Sequence, residues 1–260
     1  MRLQPMLMFL PLFLSLLILH PQTAKILDSR ITTPNPMENK PTYLVQKLNS
    51  SDMAINANWD KKEWEGIKAV VVDKQMGPDP KFVPKVQAKL MYDEKNIYGI
   101  FRVEDRYVRS TITEYNGNVS GDSCVEFFFA PDTEKPEHYF NLEINAGGTP
   151  LIFYITKPWE GVTKLQAENI DQIEIAHSLP QVVDPEIADP TTWFIEFKIP
   201  LSMLEKFSKV TRPKTGVVWK ANFYKTGSKT SSPNYLTWAF VDHPKPNFHL
   251  PEFFGTLQFE

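Results

Sequence analysis

SCVEFFF at residues 123–129 and YFNLEIN at residues 139–145 are the stretches whose reading decides the fold. Successive side chains of an extended strand point to opposite faces. In the first stretch Val125, Phe127 and Phe129 share one face, with Cys124, Glu126 and Phe128 opposite. In the second, Phe140, Leu142 and Ile144 face one way, and Tyr139, Asn141, Glu143 and Asn145 the other. Two alternating runs joined by a short loop predict an antiparallel hairpin. The same period recurs outward from this pair. It sets Val86, Ala88, Leu90 and Tyr92 on one face, and Ile97, Phe101 and Val103 on another. It recurs in Trp193, Ile195, Phe197 and Ile199, and again in Val217, Trp219, Ala221 and Phe223. Helical signals are confined to a turn near Trp59–Trp64 and to PLSMLEKF at residues 200–207. Many strands, few helices and Pro-rich turns predict an all-β chain, a two-sheet antiparallel β-sandwich of jelly-roll type with one or two short helices.

Composition narrows the rest. Of 260 residues, 42% are hydrophobic and 23% charged, a globular balance. Prolines number 22 against 11 glycines, and they fall between the apolar runs, where they leave ladder hydrogen bonds intact. The formal net charge is -3 and no long basic run occurs, which argues against a nucleic-acid partner. The single cysteine, Cys124, precludes an intramolecular disulfide, so the fold rests on its core. Residues 7–19 (LMFLPLFLSLLIL) follow Arg2 without a charge and are shorter than the ~20 residues a membrane span needs. Residues 1–24 are therefore expected to be a signal peptide, residues 25–40 a linker and residues 41–260 the folded domain. The expected location is secreted or periplasmic, with no stable membrane span. There is no phosphate-cradling glycine loop, no zinc spacing and no nucleophile elbow.

The non-core faces of the hairpin gather Glu126, Asn141, Glu143 and Asn145, and a neighbouring strand 217–224 would add Lys220, Asn222 and Tyr224. Planar polar groups bridge sugar hydroxyls and aromatic faces stack on sugar rings, so this is the chemistry of a saccharide site. An ordinary wet sheet face is the competing reading.

An ordered set of segments resembles family 9 carbohydrate-binding modules and their DOMON-like relatives. It begins with Ala57-Asn58-Trp59-Asp60 and Glu63-Trp64, then Leu90 to Tyr98 (LMYDEKNIY) and Val103-Glu104-Asp105. It continues through Asp122 to Phe129 (DSCVEFFF) and Phe140 to Asn145 (FNLEIN). It closes with Trp219 to Tyr224 (WKANFY) and Asn247 to Gly255 (NFHLPEFFG). The resemblance runs from about residue 52 to the C-terminus. It implies a non-catalytic module that binds oligo- or polysaccharide in support of extracellular carbohydrate breakdown, working beside a separately encoded glycoside hydrolase. Carried over residue by residue, Glu126 looks like the sugar-binding carboxylate and Asn222 takes the place of an amide on a late strand. Phe248 falls where a clamp ring sits, with Asn247 beside it. Asn141 lies where the pattern has an arginine. The second clamp position, before Gly121, reads Asn118-Val119-Ser120, and Trp159 in a loop is the replacement ring. The expected sugar-binding set is thus Glu126, Asn141, Glu143, Asn222, Asn247, Phe248 and Trp159, with no catalytic residue and no cofactor. The family's structural calcium has no ligand set assignable here. Three other functions stay open at this point, one of them a structural or adhesion module whose polar face binds protein. Glu126 and Glu143 could act as the acid and base of a glycoside hydrolase. Some DOMON relatives bind haem through Met and His, and Met91, Met203, His177 and His249 are available, without a recognisable spacing.

Overall fold

The structure is a computed structural model and describes residues 40–49 and 53–260. The expected signal peptide, and all of the expected linker but Lys40, lie outside the described residues. The described chain is all-β. Its strands are β1 (Thr42–Lys47), β2 (Val70–Val71), β3 (Lys74–Gln75), β4 (Lys85–Tyr92), β5 (Asn96–Asp105), β6 (Val108–Ser110), β7 (Cys124–Ala130) and β8 (Tyr139–Asn145). They continue with β9 (Pro150–Lys157), β10 (Gly161–Lys164), β11 (Glu174–His177), β12 (Val183–Ile187), β13 (Thr191–Pro200), β14 (Val218–Thr226), β15 (Tyr235–Thr237) and β16 (Gly255–Phe259). Two single-turn helices, α1 (Ala167–Ile170) and α2 (Leu201–Leu204), interrupt them. The second lies within the helix expected from PLSMLEKF, and a 3₁₀ turn at Lys62–Trp64 lies within the first expected turn. Among the described residues no helix is long and apolar enough to cross a membrane.

The main strands follow one hydrogen-bonded path, β10-β9-β8-β7-β14-β16-β1-β4-β5-β13-β11. Every pairing in it is antiparallel except at β1, which is parallel to β16 on one side (Tyr43↔Leu257) and to β4 on the other (Gln46↔Met91). The expectation of a wholly antiparallel arrangement is corrected there. β1 lies between the last strand and the fourth and is parallel to both, so β4 and β16 run in the same direction. The sheet curls about this bridge, and rings from its two arms meet. Phe127 of β7 stacks against Phe197 of β13 at 6.0 Å, and Phe101 of β5 meets Phe223 of β14 edge-on at 6.0 Å. The residues that alternation set inward on β4, β5, β7, β8 and β13, together with Trp219, Ala221 and Phe223 of β14, form this core.

The outer faces depart from expectation. β7 and β8 are buried at every position, on both faces. A second apolar cluster of Phe128, Tyr139, Tyr224, Val241, Phe248 and Phe254 covers the outer side. Its lid is the strand-poor segment between β15 and β16. The face that the sequence left open between a saccharide site and an ordinary wet sheet face is therefore largely an interior surface, and its polar residues are held in low dielectric.

Candidate functional site

β7 and β8 pair so that Glu126 stands directly opposite Glu143, and β14 places Tyr224 on the other side of Glu126. Both carboxylates are nearly buried, Glu126 at 2% exposure and Glu143 at 7%. They form the floor of a cavity of about 260 Å³. Its walls are Phe128, Tyr235, Phe248, His249 and Trp159, and Ser120, Thr226, Ser228 and Asn247 add polar groups. Phe248 is fixed by stacking on Tyr224 at 4.1 Å and 13°, and the Tyr224 hydroxyl donates to the Phe248 carbonyl at 3.2 Å. Trp159 projects from the β9–β10 turn, 75% exposed, and meets His249 edge-on at 4.9 Å. Its backbone is left-handed (φ 66°), a conformation that costs a non-glycine residue about 1–3 kcal/mol. His249 is held in turn by Tyr139, whose hydroxyl is 2.9 Å from Nδ1.

Five of the seven residues expected from the sequence converge here: Glu126, Glu143, Trp159, Asn247 and Phe248. Two do not line the cavity. Asn141 is a support: its amide nitrogen donates to Glu143 Oε1 at 3.0 Å, and its oxygen accepts from the Phe153 backbone at 3.0 Å. Asn222 is fully buried, donating to the Ala239 carbonyl (3.1 Å) and accepting from the Ala239 amide (2.8 Å). Both its polar ends are occupied by backbone, so it ties β14 to the chain after β15. Phe128, Tyr235 and His249 are cavity residues that the site reading passed over. Phe128 had a signal, because alternation sets it on the face of Glu126, and His249 had one in the segment Asn247 to Gly255; Tyr235 comes from the short strand β15.

Electrostatics follow from burial. Desolvation, and next the neighbouring Glu143, raise the Glu126 carboxyl well above the ordinary carboxylate range, while Lys225 pulls the other way. Desolvation raises Glu143 to about 7 against the opposing hydrogen bond from Asn141. Two adjacent buried carboxylates do not readily ionise together, so the pair holds a proton near neutrality. Among the described residues Glu126 has no hydrogen-bond partner, and its free oxygens open on the cavity. Burial lowers His249 to about 4, leaving a neutral ring at the wall.

Cys124, Glu126 and Glu143 can each bring one donor atom within 4.8 Å of the others. Calcium takes oxygen ligands only, so a set containing a thiol does not fit the structural calcium that the family implies. The residues weighed as haem ligands are not gathered either: Met91 and Met203 belong to separate core clusters, and His177 sits at the edge strand β11.

The family model for carbohydrate-binding family 9 matches residues 54–259. The chain belongs to carbohydrate-binding family 9. Non-catalytic carbohydrate binding is accordingly the function of this family 9 chain. No relative is found among curated proteins. Among solved structures, a candidate carbohydrate-binding protein from Bacteroides uniformis is similar at 27% identity and a TM-score of 0.76, covering 85% of this chain and 100% of that one. A family 9 module from Caldicellulosiruptor kristjanssonii in complex with cellotriose is similar at 14% identity and a TM-score of 0.58, covering 85% of this family 9 chain and 94% of the module. In complex with glucose it matches at 14% identity and 0.57, covering 85% and 96%. At that identity the likeness is one of fold.

Proposed function

We propose that this family 9 chain seats a terminal sugar residue in the cavity between Trp159 and Phe248, over Glu126 and Glu143. The observation that supports it most is Glu126, a buried carboxylate whose oxygens face a ring-walled cavity with no partner among the described residues. A buried carboxylate left without a hydrogen bond is costly, and a sugar hydroxyl would supply the donor. Trp159 and Phe248 would lie against the sugar's C–H faces, and Asn247 would reach a rim hydroxyl. Asn141 would act by orienting Glu143, and Asn222 by holding β14. The related module's complexes with cellotriose and glucose make gluco-configured saccharides the first ligands to try. The two arms of the curled sheet are read as the two layers of a jelly-roll sandwich spanning residues 41–260. We further infer a secreted or periplasmic protein with residues 1–24 as its signal peptide, serving a separately encoded glycoside hydrolase.

Hydrolysis has less support. Glu126 and Glu143 are neighbours on one floor, whereas an acid and a base must flank the scissile bond. The test is isothermal titration of the chain with glucose, cellotriose and a wider glycan panel, alongside a reducing-sugar assay. Saturable binding at micromolar to millimolar affinity, weakened by Glu126→Gln and without sugar release, is expected. A folded chain that binds no glycan refutes the proposal, and sugar release that vanishes in Glu126→Gln replaces it with the hydrolase reading.

A further inference from the structure

The cavity is one-sided in charge. Two carboxylates make its floor, and among the described residues no lysine or arginine lines it. Lys225, whose charge reaches Glu126, does not itself line the cavity. Lys225 Nζ is buried against Asp105 Oδ2 at 3.1 Å and Asn234 Oδ1 at 3.1 Å. Lys229 is exposed on the loop whose backbone bonds Gly121. His249, the remaining basic group at the wall, is kept neutral by burial. The other titratable neighbours are Tyr139 and Tyr224, both neutral phenols, and the exposed Glu252, a further acid. Around the floor stand Phe128, Phe248 and Trp159, whose ring faces attract cations.

A neutral sugar leaves this pair short of compensation. Its hydroxyls can donate hydrogen bonds, but they bring no charge, so one carboxyl must stay protonated. The three-residue donor cluster at this floor includes Cys124. That thiol lies in an apolar niche with Val119 and Leu151, where burial disfavours the thiolate. An ammonium group needs neither: it offers three donors and one positive charge to two facing carboxylates.

Resting on the saccharide reading above, we propose that the sugar this cavity prefers carries a free amine, with its ammonium seated between Glu126 and Glu143 and its ring between Trp159 and Phe248. The ligand class is thus a deacetylated amino sugar, as a monomer or at the end of a glucosamine oligomer. Entry of the ammonium lets both carboxylates ionise, so binding releases the shared proton to solvent. Acetylating the amine removes the charge and adds bulk, and replacing it by hydroxyl removes the charge alone.

The test is isothermal titration of the full chain at about pH 6, where a sugar amine is protonated, in a buffer free of amines. Glucosamine is compared with N-acetylglucosamine and glucose, and the glucosamine trimer with cellotriose. The amine forms are expected to bind at least about tenfold more tightly than either counterpart, and Glu143→Gln to reduce that preference to about twofold. Equal or tighter binding of the acetylated or hydroxyl sugars overturns the amine preference while the saccharide site stands. Absence of binding by all of them to the folded chain overturns the amine preference, and absence of binding across the wider glycan panel as well overturns the saccharide reading. The ligand comparison on the unaltered protein decides the matter even if the variant does not fold.

Discussion

At the scale of single residues, the cavity separates groups that serve binding from groups that serve the fold. Trp159 is three-quarters exposed and left-handed, so Trp159→Gly removes a wall and relieves its backbone together. Stability should stay within about 1 kcal/mol while sugar affinity falls by about 1–3 kcal/mol, read by thermal melts and titration. Phe248 is only 9% exposed and stacked on Tyr224. Phe248→Ala should therefore cost about 1–3 kcal/mol in both affinity and stability. Glu143 gives a pH signature. Its folded pKa of about 7 lies above that of an unfolded carboxyl, so the folded state holds the extra proton between the two values. The stability it contributes is complete below about pH 4 and is lost as pH rises through about 7. Urea melts across that window should show the loss, on the order of 1–3 kcal/mol, and Glu143→Gln should flatten it. A parent protein that grows more stable from pH 5 to 8 would contradict the buried-pair picture.

Single strands carry information that alternation conveys and information that it hides. The inward residues of β7, β8 and β13 were legible because period 2 is a property of the extended backbone itself. Glu196 on β13 shows what was hidden. It falls among the polar positions of its strand, yet it is fully buried. Its carboxylate accepts from the backbone amides of Asn56 (2.9 Å) and Ala57 (2.8 Å) and from Trp64 Nε1 (2.8 Å), and pairs with Lys61. Glu196 thus fastens the segment before β2 onto the outside of the sheet. Glu196→Ala should cost about 2–5 kcal/mol in chemical unfolding, because four donors lose one acceptor group. Gly99 on β5 is the complementary case: a Cβ there would lie 2.2 Å from the Phe197 ring. Gly99→Ala should destabilise by about 1–3 kcal/mol through displacement of that ring.

At the level of the whole molecule, β1 is the link. Its parallel ladders to β16 and β4 are the step in the strand path that joins the arm carrying the cavity to the arm beneath it. The core is shared across that join, with Phe127 against Phe197 and Phe101 against Phe223. Deleting residues 1–47 should therefore lower the thermal midpoint or split the melt into more than one step. A truncated chain that still melts in one step at the parent's midpoint would show that β1 is dispensable. The cavity too belongs to this scale. Its floor comes from β7 and β8, one wall from the β9–β10 turn, and another from the segment between β15 and β16.

By itself the sequence determined the strands, their inward faces and the hairpin that sets Glu126 beside Glu143, because each depends on local backbone geometry and on neighbours a few residues away. The ordered family segments reached further and drew Asn247 and Phe248 into one expected site, and the clamp ring missing before Gly121 brought in Trp159 from outside those segments. Tertiary structure alone decided that the second face of β7 and β8 is interior. Nothing within SCVEFFF or YFNLEIN distinguishes a wet face from one roofed by a distant, non-periodic segment. The same cause removed Asn222 from the site, since Ala239 claims its amide, and turned Asn141 into a support for Glu143. It also raised two ordinary carboxylates into a proton-sharing pair, because the free energy of a charge is set by what surrounds it in space, and no local pattern encodes that.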